Sequence, residues 1–166
     1  CGAWELLIAW LGANNYPFEG VAAEQRNLGS NKHFKELREL FGIKHIFRAA
    51  PIDTMMQTLK SKMILGLVSD QDAGQRGSFV SFFGKKASTP RGPAVFHLKT
   101  GAPMVFATAF HEGQNTIHIH FQEINPKTND SDTITQTFTT MLENKIKQYP
   151  SQYFWFHRKW KTKSKA

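Results

Sequence analysis

The hydrophobic positions of this 166-residue chain fall into short blocks of two alternating kinds. Residues 4–12 read as a short, mostly buried helix, with Trp4, Leu6, Leu7, Ile8, Trp10 and Leu11 in quick succession. Residues 18–23 read as a strand. Residues 31–41 carry Phe34, Leu37, Leu40 and Phe41 at helical spacing, with Ser30 or Asn31 as cap and Gly42 as stop. Residues 44–47 form a short strand, and a helix follows Pro51 over residues 52–60. The run at 63–68, Met-Ile-Leu-Gly-Leu-Val, is unbroken and too short for a helix of that burial. It predicts a strand covered on both faces, the most buried of the chain. A loop rich in Gly and Ser leads to the aromatic block at 79–84. Beyond it the pattern predicts a helix over 93–100 stopped by Gly101, and an apolar strand over 104–110. An alternating outer strand over 116–122 and a long helix over 133–148 complete the series. Strands alternating with helices give an α/β fold class, with a mixed, mostly parallel sheet flanked by helices. There is no repeat and no interior linker, so the expectation is one domain.

Composition narrows the function classes. Hydrophobic residues make up 40% and charged residues 20%, which excludes disorder and collagen-like repeats. No stretch approaches the roughly 20 apolar residues that span a bilayer. A lone cysteine cannot close an internal disulfide. The net charge of +8 is unevenly placed: residues 1–83 hold 9 basic and 8 acidic side chains, residues 84–166 hold 12 and 5. Such a half attracts something anionic: nucleic acid, a phospholipid surface or an acidic protein. The end of the chain, from Arg158 to Lys165, is the densest basic cluster. Its preceding aromatics, Tyr153 to Phe156, together with Trp160, suit a contact at the level of membrane headgroups. The chain opens on Cys1, which leaves a lipoprotein terminus, an N-terminal nucleophile and an internal start all open.

Strand ends of open α/β sheets are where sites usually form, which draws attention to Asp70 and Asp72. Glu5 in the first turn of an apolar helix and Arg38 near the end of another each have a helix-dipole explanation. His118 and His120 share one strand face with His111 in reach, but no Glu, Asp or Cys constellation accompanies them, so no metal is expected. There is no Gly-x-Ser-x-Gly elbow, no phosphate loop and no zinc-finger pairing. Nothing matches a helix-turn-helix or an aromatic RNA-binding signature, so nucleic acid is not expected as a partner.

Four blocks, in order, change this picture. Cys1-Gly2-Ala3-Trp4-Glu5 resembles the tail of the His-x-Gly-Asn-Trp-Glu motif of bacterial lipid A biosynthesis acyltransferases, the lauroyl/myristoyl family. Ser69-Asp70-Gln71, then Arg76-Gly77 and Phe82-Phe83-Gly84, resemble that family's Asp-Gln…Arg-Gly…Phe-Phe-Gly block. Thr100-Gly101-Ala102-Pro103 is similar to its Thr-Gly-Ala-Pro. Tyr149-Pro150 and the stretch from Trp155 to Lys161 resemble its closing Pro…Trp-x-His-x-(Arg/Lys)-Trp-Lys. The match covers essentially the whole chain. It departs at Ala3, where the family has Asn, and in the loop where Asp72 and Gly74 precede Arg76.

The resemblance implies a glycerolipid-acyltransferase-like fold and a His-x4-Glu/Asp active motif. Glu5 falls on the acid, and the histidine falls immediately before Cys1, so the segment as it stands is expected to lack its base and the upstream membrane anchor, and to be inactive alone. The implied reaction moves a fatty acyl group from an acyl carrier protein thioester to a hydroxyl of a lipid A precursor, at the cytoplasmic face of the inner membrane. Glu5 would hold the histidine, Arg38 or the backbone N–H near Gly2 would meet the oxyanion, and Asp70 would position Arg38 or substrate. Gly2, Gln71, Arg76, Lys85, Lys86 and Arg91 are the expected substrate contacts, the last three for phosphate or carrier. The anionic inner-membrane surface is a further expected partner, and no cofactor is. Two other readings stand beside it: a relative that acylates another glycolipid or draws on acyl-CoA, and a non-catalytic basic membrane- or nucleic-acid-binding module.

Overall fold

A computed structural model describes residues 2–23, 27–113 and 115–164, without the side chains of Leu28 and Ser30. Cys1, Lys165 and the Ser30 side chain, all singled out above, lie outside what is described. The chain forms two compact units, one of residues 5–67 and one of residues 1–4 with 68–166.

The first unit is built on parallel β-α-β connections. Helix α1 (Trp4–Ala13) leads to β1 (Phe18–Ala22), α2 (Leu28–Leu40), β2 (Lys44–Phe47), α3 (Ile52–Lys60) and β3 (Ile64–Leu67). The strands pair in parallel in the order β2-β1-β3, with Gly20 opposite both His45 and Gly66. Leu7, Leu11, Phe18, Ile43, Ile46 and Met55 are its buried apolar residues. Two glycines set the packing distance. A Cβ on Gly12 would lie 2.1 Å from the Phe41 carbonyl oxygen, and one on Gly66 would lie 2.2 Å from the Phe18 ring. Helix α2 begins before the expected cap, so Ser30 and Asn31 fall inside it. Its C-terminal Gly42 has φ +69°, the left-handed stop the sequence anticipates.

Two expectations about this unit are corrected. The apolar run ending at Val68 is not the strand buried on both faces; β3 is an edge strand with Ile64 and Val68 exposed, and β1 is central. The apolar stripe of α2 is not buried either, since Leu37 and Leu40 face outward. Hydrophobicity reports a residue's tendency to leave water; the pairing order of strands is set by connections it does not encode.

The second unit is antiparallel. Strands β4 (Ser78–Phe82) and β5 (Lys85–Thr89) form a hairpin, and β6 (Met104–Glu112) and β7 (Thr116–Ile124) form another. Between them runs α4 (Gly92–Thr100), and α5 (Ser131–Gln148) follows. The Phe-Phe-Gly block makes the first hairpin's two-residue turn, with φ +50° at Phe83 and +73° at Gly84. The Thr-Gly-Ala-Pro block is a helix stop. Gly101 takes φ +69°, and the Thr100 hydroxyl accepts from the Ala102 N–H at 3.1 Å. Helix α5 is capped by Asp130, whose carboxylate accepts from the Thr133 N–H at 2.8 Å. It supplies a wall to two apolar clusters, Leu142 and Ile146 against Phe82, Ala87 and Tyr153, and Ile134 and Phe138 against Ala94, Met104 and Ile124. The α/β class is thus observed, with parallel pairing confined to the first unit. No helix among the described residues is long and apolar enough to cross a membrane.

Candidate functional site

The first constellation lies in the unit of residues 5–67. Glu5 opens α1 and Arg38 lies in the last turn of α2. The Arg38 Nη2 donates to Glu5 Oε1 at 2.7 Å, and its Nε stands 3.5 Å from Oε2, so the guanidinium spans both carboxylate oxygens. Both side chains are largely shielded, at 15% and 27% exposure, where a charge-assisted pair is stronger than at a free surface. The Phe34 ring supports the guanidinium from one side, 5.8 Å from its carbon. His45 on β2 carries the imprint of this cation: burial first, then Arg38 and Lys35, hold its pKa below the usual histidine value.

The second constellation lies in the other unit, on the turn at 69–72 and the segment 153–162. The Tyr153 hydroxyl donates to the Asp70 carbonyl at 3.2 Å. The Gln71 amide nitrogen and His157 Nε2 are 3.2 Å apart. The Asp72 carboxylate accepts from the Gly74 N–H at 2.9 Å, the Thr162 N–H at 3.1 Å and the Thr162 hydroxyl at 2.8 Å. Burial alone would raise the Asp72 pKa; the Thr162 and Gly74 hydrogen bonds and the Lys159 charge outweigh it and lower it. Lys159 is buried beneath the turn, its Nζ donating to the carbonyls of Gln71 at 2.9 Å and Ser88 at 3.2 Å. Burial also pushes the Tyr153 pKa upward, with the Asp70 charge adding to it.

Gly2 belongs to this unit as well. Its N–H donates to the Gln152 carbonyl at 3.2 Å, and the Ala3 N–H donates to Ala109 at 2.8 Å. With φ +65° and the Ala109 oxygen 1.9 Å from where a Cβ would stand, this position requires glycine. Gln152 completes the clamp on β6 by exchanging two 2.8 Å hydrogen bonds with the His111 backbone.

The structure therefore joins Glu5 with Arg38, and joins Asp70 and Gln71 with the C-terminal block. Arg76, Lys85, Lys86 and Arg91 are exposed side chains along the β4–β5 region and before α4. Two shallow hollows, of about 460 and 470 Å³, are lined by residues near Gly12 and Phe41 and by residues 122–141; neither includes Glu5, Arg38 or Asp70. The described residues hold no group of three His, Cys, Asp or Glu side chains placed for a metal; His118 instead stands 3.5 Å from Glu112. Sequence reasoning missed Lys159, Tyr153 and Thr162 as partners of the Asp-Gln turn. The closing block is their signal: Tyr153 and Lys159 are buried and Trp160 packs on Phe82, while Phe154, Trp155 and Phe156 stay exposed.

The family model described as bacterial lipid A biosynthesis acyltransferase matches residues 1–162. A phosphatidylinositol mannoside acyltransferase of Mycolicibacterium smegmatis is 25% identical over 163 residues, covering 96% of this chain and 54% of that protein. Its namesake in Mycobacterium tuberculosis is 22% identical over 163 residues, covering 96% and 52%. The chain thus spans about half the length of the curated relatives it matches.

Proposed function

Because the chain belongs to the bacterial lipid A biosynthesis acyltransferase family, we propose that the intact protein transfers a fatty acyl group from a thioester to a hydroxyl of a phosphate-bearing glycolipid. The observation that carries the reading is the shielded Glu5–Arg38 pair, on the acid of the His-x4-Glu motif. A hydroxyl is a weak nucleophile at neutral pH, and a positioned base contributes roughly 10²–10⁴-fold. The base is the motif histidine, five positions ahead of Glu5. It takes the hydroxyl proton as the oxygen attacks the thioester carbonyl, and returns a proton to the departing thiolate as the tetrahedral intermediate collapses.

Glu5 holds the imidazole and stabilises the imidazolium that forms, as acids do in other His-acid pairs. A carboxylate has about four lone-pair sites, so Glu5 can serve both Arg38 and a histidine. Arg38 acts through Glu5 and is in this reading a positioning residue. Asp70 and Gln71 position substrate, and Lys85, Lys86 and Arg91 offer cations to the acceptor's phosphates or to an acidic carrier.

The donor is acyl carrier protein and the acceptor a lipid A precursor, met at the cytoplasmic face of the bacterial inner membrane. The named activity of the mycobacterial relatives favours a second reading, a phosphatidylinositol mannoside as acceptor. Incubating the intact protein with acyl carrier protein or acyl-CoA thioesters against each glycolipid separates these. Ester product from the carrier thioester and lipid A precursor supports the first reading, and product from phosphatidylinositol mannoside alone supports the second.

A further inference from the structure

Among the described residues, Lys159 is the only charged side chain that is buried, at 3% exposure. Taking an ammonium out of water costs several kcal/mol before its partners compensate, and an apolar chain would fill the same space without that cost. What compensates here is specific. The Nζ is bonded to the carbonyls of Gln71 and Ser88, stands 5.8 Å from the centre of the Phe82 ring, and is attracted by Asp70 and Asp72. The residues around it in sequence repeat the theme, because Tyr153, His157 and Thr162 reach Asp70, Gln71 and Asp72 in turn. Three consecutive residues of the turn are each tied to one C-terminal strap.

We propose that Lys159 is a positioning residue for acyl transfer, its buried Nζ locking the Asp70-Gln71-Asp72 turn by hydrogen bonds in the conformation that presents Asp70 and Gln71 to substrate. The functional half of this statement rests on the reading of the preceding subsection; the lock itself does not. Burial brings the Lys159 pKa down to about 8, against the upward pull of Asp70 and then Asp72. The titratable groups acting on it are those two carboxylates on the turn; β4 and β5 contribute the Phe82 ring and the Ser88 carbonyl. A neutral amine keeps donors for both carbonyls and sheds a desolvation cost larger than the attraction of the two acids, so the lock persists above pH 8.

The test uses the intact protein and two independent readouts. Amide hydrogen exchange over residues 69–76 reports the lock, and acyl-transfer kcat reports its use. In Lys159→Met, exchange of the turn accelerates by about tenfold or more relative to β6 and β7, and kcat falls by a similar factor, the scale of one lost charged hydrogen bond. Lys159→Arg, which keeps donors for both carbonyls, retains protection and kcat. Opening returns Lys159 to water, where it holds a proton that the closed state has shed, so wild-type protection of the turn rises between pH 8 and 10 relative to β6 and β7, a measurement that needs no variant. Unchanged exchange in Lys159→Met, or in the wild type across pH 8, overturns the lock. Faster exchange with kcat unchanged overturns the positioning role. Wild-type protein with no acyl transfer refutes the functional reading alone, and exchange still decides the lock.

Discussion

Replacing Arg38 with Met keeps the aliphatic stem and removes the guanidinium from Glu5. Exposed ion pairs contribute about 0–1 kcal/mol, and breaking a fully buried pair costs about 3–5 kcal/mol. With side chains 15% and 27% exposed and a 2.7 Å contact, the Glu5–Arg38 pair belongs between these limits, at about 1–2 kcal/mol. For a chain of this size each kcal/mol moves the melting temperature by roughly 2–4 °C, so Arg38→Met should melt about 2–8 °C below the wild type. A double-mutant cycle with Glu5→Gln, read by denaturant unfolding, isolates the coupling from the loss of either residue alone. The same variant tests catalysis, since a Glu5 no longer held in place misplaces the base, and kcat should fall by about 10–100-fold. Coupling within about 0.3 kcal/mol of zero, together with wild-type kcat, would refute the claim that Arg38 works through Glu5.

Two further outcomes follow from the packing and electrostatics. Gly66→Ala drives a methyl to 2.2 Å from the Phe18 ring, and should cost about 1–3 kcal/mol of stability in denaturant unfolding; an unchanged midpoint would mean the ring does not lie over β3. Lys159 has a pKa lowered to about 8 in the fold, so between pH 8 and its usual value near 10.5 the unfolded chain binds a proton that the folded chain does not. Its contribution to stability therefore rises with pH across that window, up to about pH 10, where the raised tyrosine pKa values act in the opposite sense. Comparing unfolding midpoints at pH 7.5 and 9.5 in wild type and Lys159→Met checks this: the wild type should gain relative to the variant, and parallel behaviour would contradict it.

Much of the element order is legible in the sequence because amphipathic spacing and glycine stops are local signals. Gly42 and Gly101 end their helices where the pattern says, and Pro51 precedes α3. What escapes is pairing. The apolar run at 63–68 reads as a central strand, yet β3 lies at an edge, since hydrophobicity does not record which neighbour a strand finds. Strand β5 carries no hydrophobic alternation at all: it is Lys-Lys-Ala-Ser-Thr, and Ser88 and Thr89 are buried by the hairpin that Phe83-Gly84 turns. The site divides the same way. Glu5 and Arg38 are 33 residues apart and carry no common spacing; only the family resemblance assigns both to one active site. In the C-terminal run, Lys159 looks like its neighbours Arg158 and Lys161, and a one-dimensional charge pattern cannot tell the buried cation from the exposed ones. The aromatics beside it carried two messages, with Tyr153 buried and Phe154, Trp155 and Phe156 exposed.

The most direct test of the account is a mass measurement on the acceptor glycolipid. The intact protein is incubated with an acyl carrier protein thioester and lipid A precursor, in wild-type and Glu5→Gln forms. The account predicts that the wild type adds one ester-linked acyl group per acceptor, with one free carrier thiol released for each, and that Glu5→Gln, though folded, forms product at least about a hundredfold more slowly. Equal rates in the two forms, or a folded wild type that acylates neither this acceptor nor phosphatidylinositol mannoside from carrier or CoA thioesters, would contradict it.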